Sequence, residues 1–346
     1  MTQKSISQLP TSSDLSGEEI VREYQRPDTW RSWWQVANTL VPYAILFYLM
    51  VRSLEVSYWL VLALSVPAAG LLVRTFIIFH DCGHGSFFHS KKANTVMGYI
   101  TGISMFTPYH HWRHKHAVHH ATSSDLNRRD TGDVWTMTVK EYLETSRWNK
   151  LLYRLFRNPY ILFIFIPLFL FIVTQRFAGP SAGKRERHSV YWTNLGVLGV
   201  ILLATLTIGF KTYLLVLLPS FFLSSAVGVW MFYVQHQFEG VYWERHENWS
   251  YVAAAIDGSS FYKLPKLFQW LTGNIGFHHV HHLSPRIPNY FLEKVHNAHP
   301  LLRAVKPITM WKSLKSLKFR LWDEENQALV GFGYLKLLPK RQAPTA

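Results

Sequence analysis

The stretch Ser57–Phe79, SYWLVLALSVPAAGLLVRTFIIF, runs directly into His80-Asp81-Cys82-Gly83-His84. About 20 apolar residues suffice to cross the hydrocarbon core as a helix, and side chains four positions apart share one helix face. A spanning helix therefore delivers two imidazoles side by side where it leaves the bilayer. Working outward, two further clusters repeat the device: His116-x-x-His119-His120 and His278-x-x-His281-His282. Eight neutral ring nitrogens from three segments exceed the roughly four ligands of one tetrahedral zinc. They suit two metal ions of higher coordination number.

The rest of the composition places this centre at a membrane. Of 346 residues, 49% are hydrophobic and only 16% charged, the balance of an integral membrane protein. Apolar segments fall at Thr39–Leu54, Ser57–Phe79, Pro159–Thr174, Val190–Phe210 and Thr212–Gln235, with a weaker, interfacial one at Val96–Pro108. Met1–Arg31 lacks the basic-then-apolar order of a signal peptide, which predicts a cytoplasmic N-terminus.

Parity then decides which segments span. The first two return the chain to the cytoplasm at His80, and all three boxes must share one side. The Lys/Arg-rich loop Gln175–Ser189 belongs inside by the positive-inside rule. The short third segment, with Pro159 and Pro167, is therefore expected to be re-entrant or interfacial. The expected fold is all-α and integral to the membrane. It has four transmembrane helices, interfacial or re-entrant helices, and a cytoplasmic helical cap carrying the metal site. Residues 1–37 form a cytoplasmic N-terminal segment, 38–330 one membrane domain and 331–346 a tail. The expected location is the cell membrane, multi-pass, with the boxes facing the cytoplasm.

The formal charge of +15 raises nucleic acid as a partner, but the basic residues flank apolar stretches instead of forming one stripe. No nucleic-acid partner is expected. A metal transporter would put ionisable or ligand residues inside its spans, and these are nearly devoid of them except Arg74. The lone cysteine, Cys82, excludes an internal disulfide and is expected to be a small packed residue. No dinucleotide loop, P-loop or haem-attachment motif is present, so the chain shows no electron source of its own. The sequence specifies no oligomeric state.

Six histidines crowd Tyr109–Ala121; His110, His111 and His114 are expected at the surface or behind the ligands. His279 falls outside the repeated pattern and is not expected to bind metal. His236, where the last span ends, is either an interfacial residue or a ninth ligand. Bound imidazoles need partners on the other ring nitrogen, and Asp81, Asp125, Asp130, Asp133, Glu239 and Asn274 lie close to the boxes in sequence. Ser224, Ser225, Ala226 and Gly228 leave room for an apolar chain, or pack against a neighbouring helix.

The boxes His80-Asp81-Cys82-Gly83-His84-Gly85-Ser86-Phe87-Phe88, Trp112-x-x-x-His116-x-x-His119-His120 and Gly276-Phe277-His278-His279-Val280-His281-His282-Leu283-Ser284-Pro285 resemble, in order and spacing, those of membrane-bound histidine-box fatty acid desaturases. Asn127-x-x-Asp130-Thr131-Gly132-Asp133-Val134-Trp135 and Ser259-Ser260-Phe261-Tyr262 are similar to its bacterial acyl-lipid branch, and the likeness runs from about Asn38 to Asp323. The resemblance implies two non-haem irons (Fe) that use O2 and two electrons to desaturate acyl chains of membrane lipids. It implies His80, His84, His116, His119, His120, His236, His278, His281 and His282 as ligands, with Δ5- or Δ12-type regiochemistry. It also implies a separate soluble electron donor, a ferredoxin or flavodoxin. A histidine-box hydroxylase or ketolase acting on alkanes or carotenoids is the competing reading.

Overall fold

The computed structural model describes residues 21–129 and 132–338. Among the described residues, four helices are long and apolar enough to cross a membrane: α1 (Thr29–Ser53), α2 (Tyr58–His84), α6 (Lys184–Ile208) and α7 (Phe210–His236). Between α2 and α6 lie α3 (Lys91–Ser104), α4 (Tyr109–Thr122) and α5 (Arg147–Phe156). α2 is the centre of the bundle, packing on α1, α3, α4 and α7. α6 turns Leu195, Leu198, Leu202 and Leu206 outward, the last 85% exposed. Such a stripe is at home in lipid and costly in water.

Two helix boundaries differ from the hydropathy reading. α1 begins at Thr29, ahead of the apolar run, because the Asp28 side chain accepts from the Arg31 amide and caps the first turn. Its first turns expose Trp30, Trp33 and Trp34, ring types suited to a membrane–water interface. α6 and α7 are separated by Gly209 alone, at φ 84, a conformation that L side chains rarely adopt.

The third apolar segment does not form a regular helix. Pro167 lacks an amide hydrogen, and the chain around it winds as π turns at Ile161–Phe165 and Phe169–Val173. Together α5 and Ile161–Arg176 make a pair bent by 60°. Of the two prolines that marked this segment as unfit to cross straight, Pro159 lies at the bend and Pro167 between the two π turns.

After α7 the chain forms a cap of short helices and two minimal sheets. β1 (Phe261–Lys263) pairs in parallel with β2 (Pro307–Thr309), and β3 (Leu321–Asp323) pairs antiparallel with β4 (Ala328–Val330). α8 (His278–Leu283) carries the third histidine box. Buried Arg157 ties the cap to the bundle. Its guanidinium donates to Tyr233 Oη and Gln237 Oε1 at the end of α7, and to Phe319 O in the cap, each at 3.1 Å.

Arg74, inside α2, is also buried and cross-linked. Its Nε donates to Thr39 Oγ1 on α1 at 3.1 Å, and its guanidinium donates to Trp270 O while lying 4.2 Å from that ring's centre. A charge at membrane depth is thus shared with a carbonyl and a π face. α3 approaches α4 closely enough that a Cβ on Gly98 would come within 2.2 Å of the Tyr109 ring. That ring is held by its hydroxyl on Cys82 O at 2.5 Å. Gly98→Ala should therefore cost about 1–3 kcal/mol by overpacking, while Gly199→Ala, which meets nothing within 4 Å, should be neutral or slightly stabilising. Thermal unfolding of the two variants in detergent checks the difference.

Candidate metal centre

Each histidine reaches the centre for a local reason. α2 places His80 and His84 one turn apart, and closes on Gly85 at φ 71. α4 presents His116, His119 and His120 at i, i+3 and i+4 from its first member, and α8 repeats the spacing with His278, His281 and His282. His236 is the last residue of α7. A Cβ on Gly83 would lie 2.9 Å from the Trp112 ring, so glycine there lets α4 lean on α2. Trp112 in turn stacks on His116, with ring centres 4.3 Å apart.

The nine histidines sort into two groups. His80, His84, His116, His120 and His281 form one; His119, His236, His278 and His282 form the other. Within each, the ring nitrogens lie within 4.8 Å of one another. Nε2 faces Nε2 at 3.0 Å for His281–His120 and His278–His236, 3.1 Å for His120–His116 and 3.2 Å for His119–His236. Two nitrogens about 2.1 Å from a shared ion, at right angles, would sit about 3.0 Å apart. Burial, reinforced by neighbouring imidazoles, holds His116, His120, His278, His281 and His282 well below the usual histidine range. These five rings are therefore held toward the neutral form, the one that ligates metal.

Orphaned atoms test the fit of a metal. Nε2 of His84 and Nε2 of His282 are buried without a hydrogen-bond partner, one in each group. A buried nitrogen left unpaired costs about 1–3 kcal/mol, and a cation among these donors would satisfy both. The donor set fits two ions.

Three outward-facing nitrogens are held as well, while Nδ1 of His120 and of His278 is buried with no partner among the described residues. His80 Nδ1 donates to Asp81 Oδ1 at 3.0 Å, and Asp81 Oδ2 accepts from Asn289 N at 2.7 Å and Asn289 Nδ2 at 2.8 Å. His119 Nδ1 donates to Asp133 Oδ1 at 2.6 Å, and His236 Nδ1 to Gly258 O at 3.4 Å. These bonds set the tautomer that leaves Nε2 pointing inward.

Of the acidic and amide residues near the boxes, Asp81 and Asp133 touch histidines of the two groups. Asp125 instead pairs with Arg128 at 2.6 Å and His246 at 2.8 Å, and Glu239 makes an exposed ion pair with Lys315. Asn274 contacts Asn289 O at 3.4 Å, one step further out. Asp130 lies outside the described residues. His110 receives the Arg185 Nε at 3.3 Å and is pushed down to about 4 by burial, while His111 pairs with Glu186 and His114 is exposed. His279 faces His296 at 3.1 Å, away from both groups, and burial pushes it down to about 3. Cys82 is buried and belongs to neither group. Asn289 and Gly258 O were not marked as partners by sequence, since a single asparagine and a carbonyl carry no spacing signal; Trp112 stands in the second box, four residues before the His116 it stacks on.

Comparison with known proteins follows the same lines. Residues 57–312 match the family model described as "Fatty acid desaturase". The chain is 52% identical over 324 residues to a fatty acid desaturase of Bacillus subtilis (strain 168), covering 94% of this chain and 92% of that protein. It is 28% identical over 298 residues to the sn-2 acyl-lipid omega-3 desaturase (ferredoxin), chloroplastic, of Helianthus annuus, covering 80% of this chain and 63% of that one. It is 26% identical over 268 residues to the endoplasmic-reticulum omega-3 fatty acid desaturase of Vigna radiata var. radiata, covering 70% and 66% respectively.

Asn289→Ala removes the side-chain donor to Asp81 Oδ2 and leaves the backbone amide donor in place, and should lower metal affinity about 10–100-fold with helicity retained. Asp125→Asn, which acts on Arg128 and His246, should leave it unchanged. Metal titration followed by elemental analysis distinguishes them.

Proposed function

This chain belongs to the fatty acid desaturase family, and we propose that it is an O2-dependent acyl-lipid desaturase. It introduces a cis double bond into acyl chains of membrane lipids, at a centre of two irons held by His80, His84, His116, His119, His120, His236, His278, His281 and His282. The observation that carries this reading is the pair of buried histidine groups at the ends of α2 and α7. Imidazole suits iron among other ions, and iron bound there would supply the oxidant that an unactivated methylene C–H requires and no side chain offers.

The chain's own residues bind, orient and exclude water. The histidines sit in a dry interior, with the Phe232 ring 5.1 Å from that of His119. Gly228 lies two turns before His236 on α7, and a Cβ there would meet nothing within 4 Å. That open space supports an acyl chain passing along α7 to the histidines, and Ser224 and Ser225 satisfy their hydroxyls on Phe221 O. A larger cleft of about 890 Å³, lined by Tyr58, Leu62, Phe210 and Leu214 among others, is not the reaction chamber. It lies toward the far end of α2, where its lining from Tyr58 to Ser65 stands about 22–33 Å from His80 at 1.5 Å per residue.

The overall balance requires a donor. Reducing O2 to two waters takes four electrons and four protons; the substrate yields two of each, a carrier supplies the other two electrons and solvent the other two protons. The Helianthus relative is named for ferredoxin, and we assign this role to a soluble ferredoxin or flavodoxin. Basic clusters stand at Lys91-Lys92, Arg128-Arg129 and Lys312–Lys318; of their cations, Arg128, Arg129 and Lys315 are engaged by Asp125, Glu141 and Glu239. Lys91, Lys92, Lys312 and Lys318 are exposed and, among the described residues, form no ion pair. They are the ones free to steer an acidic protein.

His119→Ala or His281→Ala should insert normally and yield no unsaturated product. In a host lacking polyunsaturated lipids, the wild type should produce a double bond of Δ5 or Δ12 position by mass spectrometry. A hydroxylated product would instead favour the hydroxylase reading.

Turnover in liposomes should need an added ferredoxin or flavodoxin and should fall as salt rises from low to physiological strength. Turnover with reduced nicotinamide alone would refute the separate donor.

The histidine side is assigned to the cytoplasm. A cysteine placed at Gly183 should resist an impermeant thiol reagent on intact cells and react after permeabilisation.

A further inference from the structure

We propose that α5 is a membrane-surface anchor, a helix lying in the lipid–water interface of an anionic leaflet on the histidine side. Its Trp148, Leu151, Leu152 and Leu155 recur at i, i+3, i+4 and i+7 and cover about 100° of the helix circumference. All four are exposed, Trp148 by 65%. The helix cannot roll to bury them. Tyr153, on another face, is fully buried, with its hydroxyl accepting from Met137 N at 3.1 Å and donating to Arg320 O. Among the described residues, this apolar face is thus held outward and left uncovered by the protein itself.

Depth is fixed by Arg157, the residue that follows α5. It bonds Tyr233 and Gln237, which place it at the last turn of α7, beside His236 where that span ends. Beyond it the chain bends by 60° into Ile161–Arg176, which exposes Phe165 and Phe169 by 64% and 58%. Exposed apolar surface therefore continues from α5 into a segment at membrane depth.

Charge selects the occupant. α5 contains Arg147, Lys150 and Arg154 and no acidic residue; at 100° per residue all three fall on one side of the apolar face, where Lys150 Nζ also donates to Leu143 O at 2.8 Å and Arg154 Nε to Tyr142 Oη at 2.6 Å. An apolar stripe edged by cations at the level of a bilayer surface fits anionic lipid. The anchor also touches the site's supports. Tyr153 and Phe156 pack on Trp135 with ring centres 5.0 and 5.6 Å apart, two residues from the Asp133 that holds His119.

Spin labels at Leu152→Cys and, as control, at exposed Asn149→Cys test this in the full chain reconstituted into bilayers; buried Cys82 should take up no label. In bilayers containing phosphatidylglycerol, the Leu152 label should collide with O2 several-fold more, relative to a nickel chelate, than the Asn149 label does. Arg147→Glu with Lys150→Glu should lower the Leu152 ratio there and change it little in phosphatidylcholine. Equal nickel access at both labels would put the face in water. Shielding of the Leu152 label from both reagents would put it under protein, a second copy or a partner. Either result overturns the proposal, and a ratio indifferent to phosphatidylglycerol overturns its anionic part.

Discussion

Nine imidazoles brought to within about a ring's width of one another, in a dry interior, are the constraint on which this structure depends. Burial alone would make such a cluster unfavourable, because each nitrogen withdrawn from water needs a partner. The protein answers in two layers. Outward nitrogens of His80, His119 and His236 are bonded to Asp81, Asp133 and Gly258 O, and the inward ones are gathered into groups of five and four. The orphaned Nε2 atoms of His84 and His282 show where those inward demands remain open to a cation.

Helix placement follows from that demand. α2 and α7 must end at the same level, since one supplies His80 and His84 and the other His236. α4 must lie against α2 closely enough for Trp112 to seat over Gly83, and α8 must be folded back from the cap. Two buried arginines hold this arrangement without carboxylates. Arg74 joins α1, α2 and Trp270, and Arg157 joins α5, α7 and Phe319. Carbonyls, hydroxyls and rings share the charge in a medium where a bare ion would be expensive.

Much of this was legible in the sequence because helical spacing and hydropathy are local signals. The three boxes fell on helices at i, i+3 and i+4, and the proline-bearing third segment emerged as a bent, π-wound stretch. Other features were set by contacts that no local pattern encodes. Asn289 reaches Asp81 across a sequence separation of 208. Asp125 and Glu239, close to boxes along the chain, turn to Arg128 and Lys315 instead, since proximity in sequence does not fix where a carboxylate points. The start of α1 was missed because a cap, not hydropathy, defines it. α5 was missed because ten residues are too few to register as a span, while the alternation of tryptophan, leucines and cations on its surface is evident only once its buried face is known.

The central claim is that the two histidine groups hold one iron each. Elemental analysis and Mössbauer spectroscopy of protein loaded with iron-57 test it most directly. The account predicts two irons per chain and two equal-area signals, one for a five-histidine and one for a four-histidine environment. One iron per chain, or zinc in its place with no iron bound, would contradict it.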